Sequence, residues 1–100
     1  MSEYNGWTNR ETWCVALWMD NTYGIQQYWE ALAAEYLEIA ENDFVEAKYN
    51  LAKTMENEIK ERTDTLIEKC HEFDGLYEDM LEYAFCRVNW EEIAEAFLNR

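Results

Sequence analysis

The spacing of the apolar residues is the feature that most limits how this chain can fold. Large apolar side chains recur at intervals of three and four residues along most of the sequence, and no segment alternates apolar and polar residues over the length of a strand. The 100 residues include no proline and only three glycines, so few positions can interrupt a helix. The pattern predicts an all-α fold.

Five helical segments, separated by turn residues, account for the apolar stripes. We expect helices over residues 9–19, 25–41, 44–70, 76–86 and 90–97, with the first turn at residues 20–24. The third stripe is weakest at Arg62 and Thr63, where a kink or break would fall. The sequence therefore predicts a compact bundle of about five helices with one long central helix, in a single domain over residues 1–100.

The same pattern assigns helix starts and core positions. Gly6 allows a sharp turn ahead of the first helix. Three residue pairs have the spacing of a capping box: Thr8 with Glu11, Asp43 with Glu46, and Asn89 with Glu92. Trp13, Trp29 and Trp90 are predicted to be core residues. For Trp7 and Trp18 the pattern does not distinguish between a core and a surface position. The inward residues predicted for the fourth helix are Leu76, Tyr77, Met80, Leu81 and Ala84.

The sequence contains few of the residues that catalytic and metal sites require. His71 is the only histidine and directly follows Cys70, so on a helix the two side chains would point about 100° apart. The cysteines lack zinc-ligand spacing, and no phosphate-binding glycine loop or serine nucleophile motif occurs. We predict no enzymatic activity, no cofactor and no metal site. An enzymatic alternative would need a pocket that holds His71 with a carboxylate of raised pKa.

The cysteines and the hydropathy pattern indicate in which cellular compartment the protein is found. Cys14, Cys70 and Cys86 are an odd number without CxxC spacing, which is typical of reduced, partly buried thiols in a cytosolic protein. No apolar run is long enough to cross a membrane, and no signal-peptide pattern opens the chain. We therefore expect a cytoplasmic protein.

Negative charge is the outlying property of the composition. The chain has 22 acidic and 8 basic residues, for a net charge of −14. Residues 11–46 contain eight acids and no Lys or Arg, and residues 72–95 contain eight acids with Arg87 as the only base. Such a field repels nucleic acid and anionic membranes and attracts basic protein surfaces. We expect the partner to be a basic protein surface; the oligomeric state is open.

Two sets of helical carboxylates are the candidate contacts for such a partner. Like charges three or four residues apart on a helix face cost a few tenths of a kcal/mol per pair, and several pairs here have that spacing. The first set is Glu78, Asp79, Glu82, Glu91, Glu92 and Glu95. The second set is Glu35, Glu38 and Glu41. The alternative is that the acids only keep the protein soluble.

Both ends of the chain resemble a group of small proteins carried by bacteriophages and other mobile elements. Residues 5–13 are NGWTNRETW, and residues 88–95 are VNWEEIAE. The group shares an N-terminal GWTNxETW motif and often ends with an aromatic, capped helix like the second segment. Residues 28–86 are outside the resemblance. The group is largely uncharacterised, so the resemblance implies a phage-type protein acting in the cytoplasm of a bacterial host but no catalytic residues.

Charge and resemblance together favour an inhibitor of a bacterial defence complex. Duplex DNA carries about one charge per 1.7 Å of axis, and proteins bind it through rows of Lys and Arg. Rows of carboxylates on helices could occupy such a groove of a CRISPR-Cas or restriction complex by mimicking DNA. The alternative is a small helical adaptor or regulator that binds a host protein through exposed aromatics around Trp7, Trp18 and Tyr23.

Overall fold

The chain folds into five α-helices. The computed structural model describes residues 5–21, 23–67 and 74–100, without the side chains of residues 63–67, 74, 77 and 78. The helices are α1 (Arg10–Asn21), α2 (Tyr23–Ile39), α3 (Phe44–Ile67), α4 (Asp74–Arg87) and α5 (Trp90–Leu98). Within these ranges there is no β-strand, and no helix is long and apolar enough to cross a membrane. The all-α prediction with one long helix is confirmed, since α3 spans 24 residues.

Helix α3 is the element on which most of the bundle packs. It contacts α2, α4 and α5, while α5 also packs against α1 and α2. Leu51 and Met55 of α3 and Ile93 of α5 are fully buried where these helices meet. Burying one such side chain contributes about 1.5–3 kcal/mol. The stripes predicted for the third and fifth helices therefore form the core, as the spacing indicated.

The structure differs from the sequence prediction at two expected interruptions. The turn expected at residues 20–24 is mostly helical, because α1 continues to Asn21 and α2 starts at Tyr23. Gly24 lies in the first turn of α2 without a positive φ, so its conformational freedom is not used to end a helix. The break considered at Arg62 and Thr63 does not occur, since α3 continues to Ile67. The expected end at Cys70 lies outside the described residues.

The helix starts differ from the predictions in one case. Asp43 caps α3, since its Oδ1 accepts from the Glu46 backbone N–H at 3.2 Å. Asn89 caps α5 in the same way, with 3.1 Å to the Glu92 backbone N–H. The first cap is Asn9 rather than Thr8: α1 begins at Arg10, and Asn9 Oδ1 accepts from the Thr12 backbone N–H at 2.9 Å. The turn predicted at Gly6 is confirmed by its φ of +90°.

Not every apolar stripe is buried. Trp29 and Trp90 are core residues, but Trp13 is only half-buried. Leu76 and Met80 were expected to point inward and are exposed. In the part of the chain that the structure describes, α4 packs on α1 and α3 and places Phe85 against Trp90 of α5, which leaves much of its surface exposed. Leu81 and Ala84 are half-buried, and the Tyr77 side chain is not described.

Candidate functional site

The two segments that carry the sequence resemblance lie against each other. Thr12 is fully buried, and its hydroxyl accepts from the Asn89 backbone N–H at 2.8 Å. The same hydroxyl donates to Asn9 Oδ1 at 2.7 Å. Asn9 Nδ2 in turn donates to the Arg87 carbonyl at 2.6 Å. The start of α1 is therefore joined to the α4–α5 connection through the buried Thr12 hydroxyl and the Asn9 side-chain amide.

Charged side chains extend this joint to the surface. Glu92 Oε1 accepts from the Thr8 backbone N–H at 3.0 Å, and Arg87 Nε donates to Glu11 Oε2 at 3.1 Å. In two of the predicted capping boxes the glutamate therefore binds a residue from the other end of the chain instead of its own cap. The motif residues hold the fold together here. These described contacts place no nucleophile beside a base, and they have a structural role.

The first set of candidate acids is divided between two helices. Asp79 and Glu82 are exposed on α4, and the Glu78 side chain is not described. Glu82 lies close enough to Lys60 of α3 to affect it: a hydrogen bond with Glu56 raises the pKa of Lys60 most, and the charge of Glu82 adds to the rise. A basic residue therefore partly offsets the negative charge on this side of α4.

The remaining three acids of the first set lie on α5. Glu91 and Glu95 are exposed, whereas Glu92 is half-buried in the joint described above. Lys48 of α3 lines the same recess as these three glutamates. The six residues are therefore divided between α4 and α5, two helices that meet where the Phe85 and Trp90 rings lie 6.1 Å apart.

The second set lies where α2 ends and α3 begins, and the turn adds two more acids to it. We call this surface the acidic hairpin end; its residues are Glu35, Glu38, Glu41, Asp43 and Glu46, all exposed. The chain turns through positive φ at Glu41 (53°) and Asn42 (68°), which places the start of α3 beside the end of α2. No Lys or Arg occurs between residues 35 and 46.

The acidic hairpin end has no ion pairs with described residues, and the same is true of Asp79, Glu82, Glu91 and Glu95. Elsewhere Glu56 pairs with Lys60, Glu58 with Arg62, Glu11 with Arg87, and Asp20 and Glu30 both with Arg100. Sequence reasoning included three of its five residues. It assigned Asp43 and Glu46 to a helix cap. The predicted turn between the second and third helices could have shown that these two residues lie beside the end of α2.

An apolar groove between α1 and α2 is the second candidate surface. We call it the α1–α2 groove. It has a volume of about 430 Å³ and is lined by Cys14, Val15, Trp18, Met19, Gly24, Ile25, Tyr28, Trp29, Ile59 and Arg62. Met19 and Trp29 are buried at its floor, with 4% and 5% of their surface exposed. Trp18 forms part of its wall and is 64% exposed.

The aromatic residues proposed for an adaptor are not equivalent. Tyr23 begins α2 and is 72% exposed, and Trp18 is exposed at the groove. Trp7, in contrast, is half-buried and packs against the core, so it supports the fold. The hydroxyl of Tyr28 donates to Glu58 at 2.9 Å, and this hydrogen bond raises the pKa of Tyr28.

Comparison with known proteins gives one result. Over residues 1–99 the chain matches a protein family described as a family of unknown function, DUF7249. The chain belongs to this family. No curated protein and no solved structure matches it. Membership in DUF7249 accounts for nearly the whole chain and brings no described activity with it.

The described part of this DUF7249 member does not test the catalytic alternative at His71. His71 and Cys70 lie outside the described residues. Cys14 and Cys86 are free thiols; the prediction that they are partly buried was wrong, since both are exposed. Among described residues, no group of three His, Cys, Asp or Glu side chains could hold a metal ion. The acidic hairpin end and the α1–α2 groove are therefore the two candidate partner-binding surfaces.

Proposed function

We propose that the protein is an inhibitor that occupies the basic nucleic-acid-binding groove of a bacterial defence complex, of the CRISPR-Cas or restriction type, in the cytoplasm of the host. The observation that carries the proposal is the acidic hairpin end. Its five carboxylates are exposed, and none of them is in an ion pair with a described residue.

The spacing of these carboxylates allows them to bind a basic groove that normally binds nucleic acid. Glu35 and Glu38 are three residues apart, which is about 4.5 Å of rise along α2. Asp43 and Glu46 repeat this spacing at the start of α3. Rows of Lys and Arg that bind DNA face about one phosphate charge per 1.7 Å, so closely spaced carboxylates on a rigid hairpin can pair with several of them at once. The net charge of −14 adds long-range attraction toward a basic groove.

Charge-conserving and charge-removing variants of the hairpin end test the proposal. In the Gln variant, Glu35, Glu38 and Glu41 are all replaced by Gln; in the matched Asp variant, the same three residues are replaced by Asp. The tagged proteins capture partners from bacterial lysate, and bound material is eluted with a salt gradient and identified by mass. We expect the wild type and the Asp variant to retain a nucleic-acid-handling complex that elutes with salt.

The Gln variant should lose that complex, because three of the five negative charges are removed while the size of the side chains is almost unchanged. A duplex DNA added in excess should displace the wild-type protein from the captured complex, since both occupy one groove. Retention of the complex by the Gln variant, or elution that does not depend on salt, would overturn the proposal. A parallel variant, Asp79→Asn with Glu82→Gln, tests the first set of acids by the same assay.

The exposed aromatics favour a second candidate function, that of a protein-binding helical adaptor. Trp18 and Tyr23 are largely exposed, and interface centres favour Trp and Tyr. For this function, Trp18→Ala should abolish capture of the partner while the Gln variant has little effect. Trp7→Ala is not an informative test, because Trp7 packs against the core.

A further inference from the structure

The α1–α2 groove combines a buried floor with exposed apolar walls. Trp18 of α1 lines it on one side, and Ile25 and Tyr28 of α2 line it on the other. All three side chains are more than two-fifths exposed, although they lie next to the buried residues Met19 and Trp29. The volume of about 430 Å³ is within the range of about 300–1,000 Å³ usual for binding sites.

The groove is open at Gly24. This residue lines the groove without a side chain, and a Cβ atom placed on it would meet no atom within 4 Å. Two helices with apolar residues along their exposed sides form the kind of surface onto which an amphipathic helix packs, with side chains at i, i+3, i+4 and i+7 as anchors. The open position leaves room for one of these anchors.

Charge selects among the occupants that such a groove could hold. Among the described residues that line it, Arg62 alone is charged, and its guanidinium is paired with Glu58 at 3.3 Å. A second copy of the chain would bring a net charge of −14 against another −14, which opposes self-association. A basic segment would instead be attracted by the whole molecule, and its Lys or Arg side chains could stack on the exposed rings of Trp18 and Tyr28.

We propose that the α1–α2 groove binds a basic amphipathic helix of a partner protein, whose apolar side chains enter the groove while its Lys and Arg residues are attracted by the net charge of −14. The inference rests on the second candidate function and goes further by naming the site and the chemistry of the partner. It does not depend on the DNA-mimic proposal, which concerns the opposite end of α2.

Two labelled synthetic peptides of about 18 residues are the probes. They share an apolar face of Leu and Ile at helical spacing; one has Lys on its polar face, and the other has Glu. Binding is measured by fluorescence anisotropy. We expect the Lys peptide to bind the wild-type protein at least about ten-fold more tightly than the Glu peptide.

Substitution at two glycines locates the binding site. Gly24→Leu fills the groove, and Gly75→Leu is its matched control, because each glycine is the second residue of its helix and a Cβ atom on either meets nothing within 4 Å. Circular dichroism checks that both variants fold. Gly24→Leu should weaken binding of the Lys peptide about ten-fold or more, and Gly75→Leu should leave it within about two-fold. The Gln variant of the hairpin end should retain most of the binding.

Four outcomes would overturn the inference. The first is equal binding of the two peptides, which would mean that charge does not select the occupant. The second is an equal effect of the two glycine variants, which would place the peptide elsewhere. The third is a dimer, detected by sedimentation, that Gly24→Leu dissociates, since the occupant would then be a second copy. Loss of a lysate partner in Trp18→Ala, with no binding of the Lys peptide, would keep the adaptor function and remove the basic-helix inference.

Discussion

Thr12 and Asn89 are 77 residues apart in the chain and are joined by a hydrogen bond of 2.8 Å, in which the Asn89 backbone N–H donates to the Thr12 hydroxyl. Because the hydroxyl is completely buried and also donates to Asn9, it links the cap of α1 to the cap of α5. The two segments of the resemblance therefore depend on each other for structure.

Removal of the Thr12 hydroxyl should destabilise the fold. Thr12→Val keeps the shape of the side chain but leaves the Asn89 N–H without its acceptor, so we expect the free energy of unfolding to fall by about 2–3 kcal/mol. Urea denaturation followed by circular dichroism measures it. Thr8→Val is the control, since Thr8 is exposed and its hydroxyl accepts only a long hydrogen bond, of 3.4 Å, from the Asn89 side-chain amide. Equal effects of the two variants would contradict the assignment of Thr12 as the joint.

Neighbouring glutamates of α5 should differ in their effect on stability. Glu91 and Glu92 both lie in the first turn of α5, where each interacts favourably with the helix dipole. Glu92 alone of the two also accepts a hydrogen bond from the Thr8 backbone. Glu92→Ala should therefore cost about 1 kcal/mol more than Glu91→Ala in urea denaturation. No difference between them would mean that the bond to Thr8 contributes nothing to the folded state.

Arg100 should stabilise the protein in a pH-dependent way. Its guanidinium donates to both carboxylate oxygens of Asp20 at 2.8 Å and to Glu30 at 3.0 Å, and it lies 4.1 Å from the Phe97 ring centroid. The hydrogen bond to Arg100 is the main cause of the lowered pKa of Asp20. The groups are partly exposed, so we expect Arg100→Gln to reduce the free energy of unfolding by only about 1 kcal/mol at pH 7.

The sign of the pH dependence follows from the direction of the Asp20 shift. A carboxyl whose pKa is lowered by folding stabilises the protein above its unfolded pKa, near 4, and this contribution is lost as pH falls through the folded value. The difference between wild type and Arg100→Gln should therefore shrink when urea denaturation is repeated below about pH 3. Arg62→Gln removes a cation with a single, exposed ion pair and serves as the control. A difference that grows on acidification would refute this account.

Salt should stabilise the wild-type protein. Five unpaired carboxylates at the acidic hairpin end repel one another, and added salt screens that repulsion. We expect the thermal unfolding midpoint to rise between about 0.05 M and 0.5 M sodium chloride. The Gln variant of Glu35, Glu38 and Glu41 should be more stable at low salt and should respond less to it, whereas the Asp variant should behave like the wild type. A midpoint that falls with salt would show that ion pairs outweigh the repulsion.

The sequence by itself determined the features that depend on residues within one or two helical turns. The stripe of Leu51 and Met55, the caps at Asp43 and Asn89, and the turn at Gly6 were all predictable, because periodicity, capping and positive φ are local properties. The all-α class followed from the same local signals. The candidate acids of the second set could also be predicted as exposed, since rows of like charge on a helix are seldom buried.

Only the tertiary structure decided which helix lies against which, and that sets the burial and the partner of each side chain. It exposed Met80 on the lightly covered α4, buried Thr12, and paired Glu92 with Thr8 instead of its own cap. It also left the groove beside Trp18 open. These relationships join residues far apart in the chain, and neither periodicity nor capping specifies long-range packing.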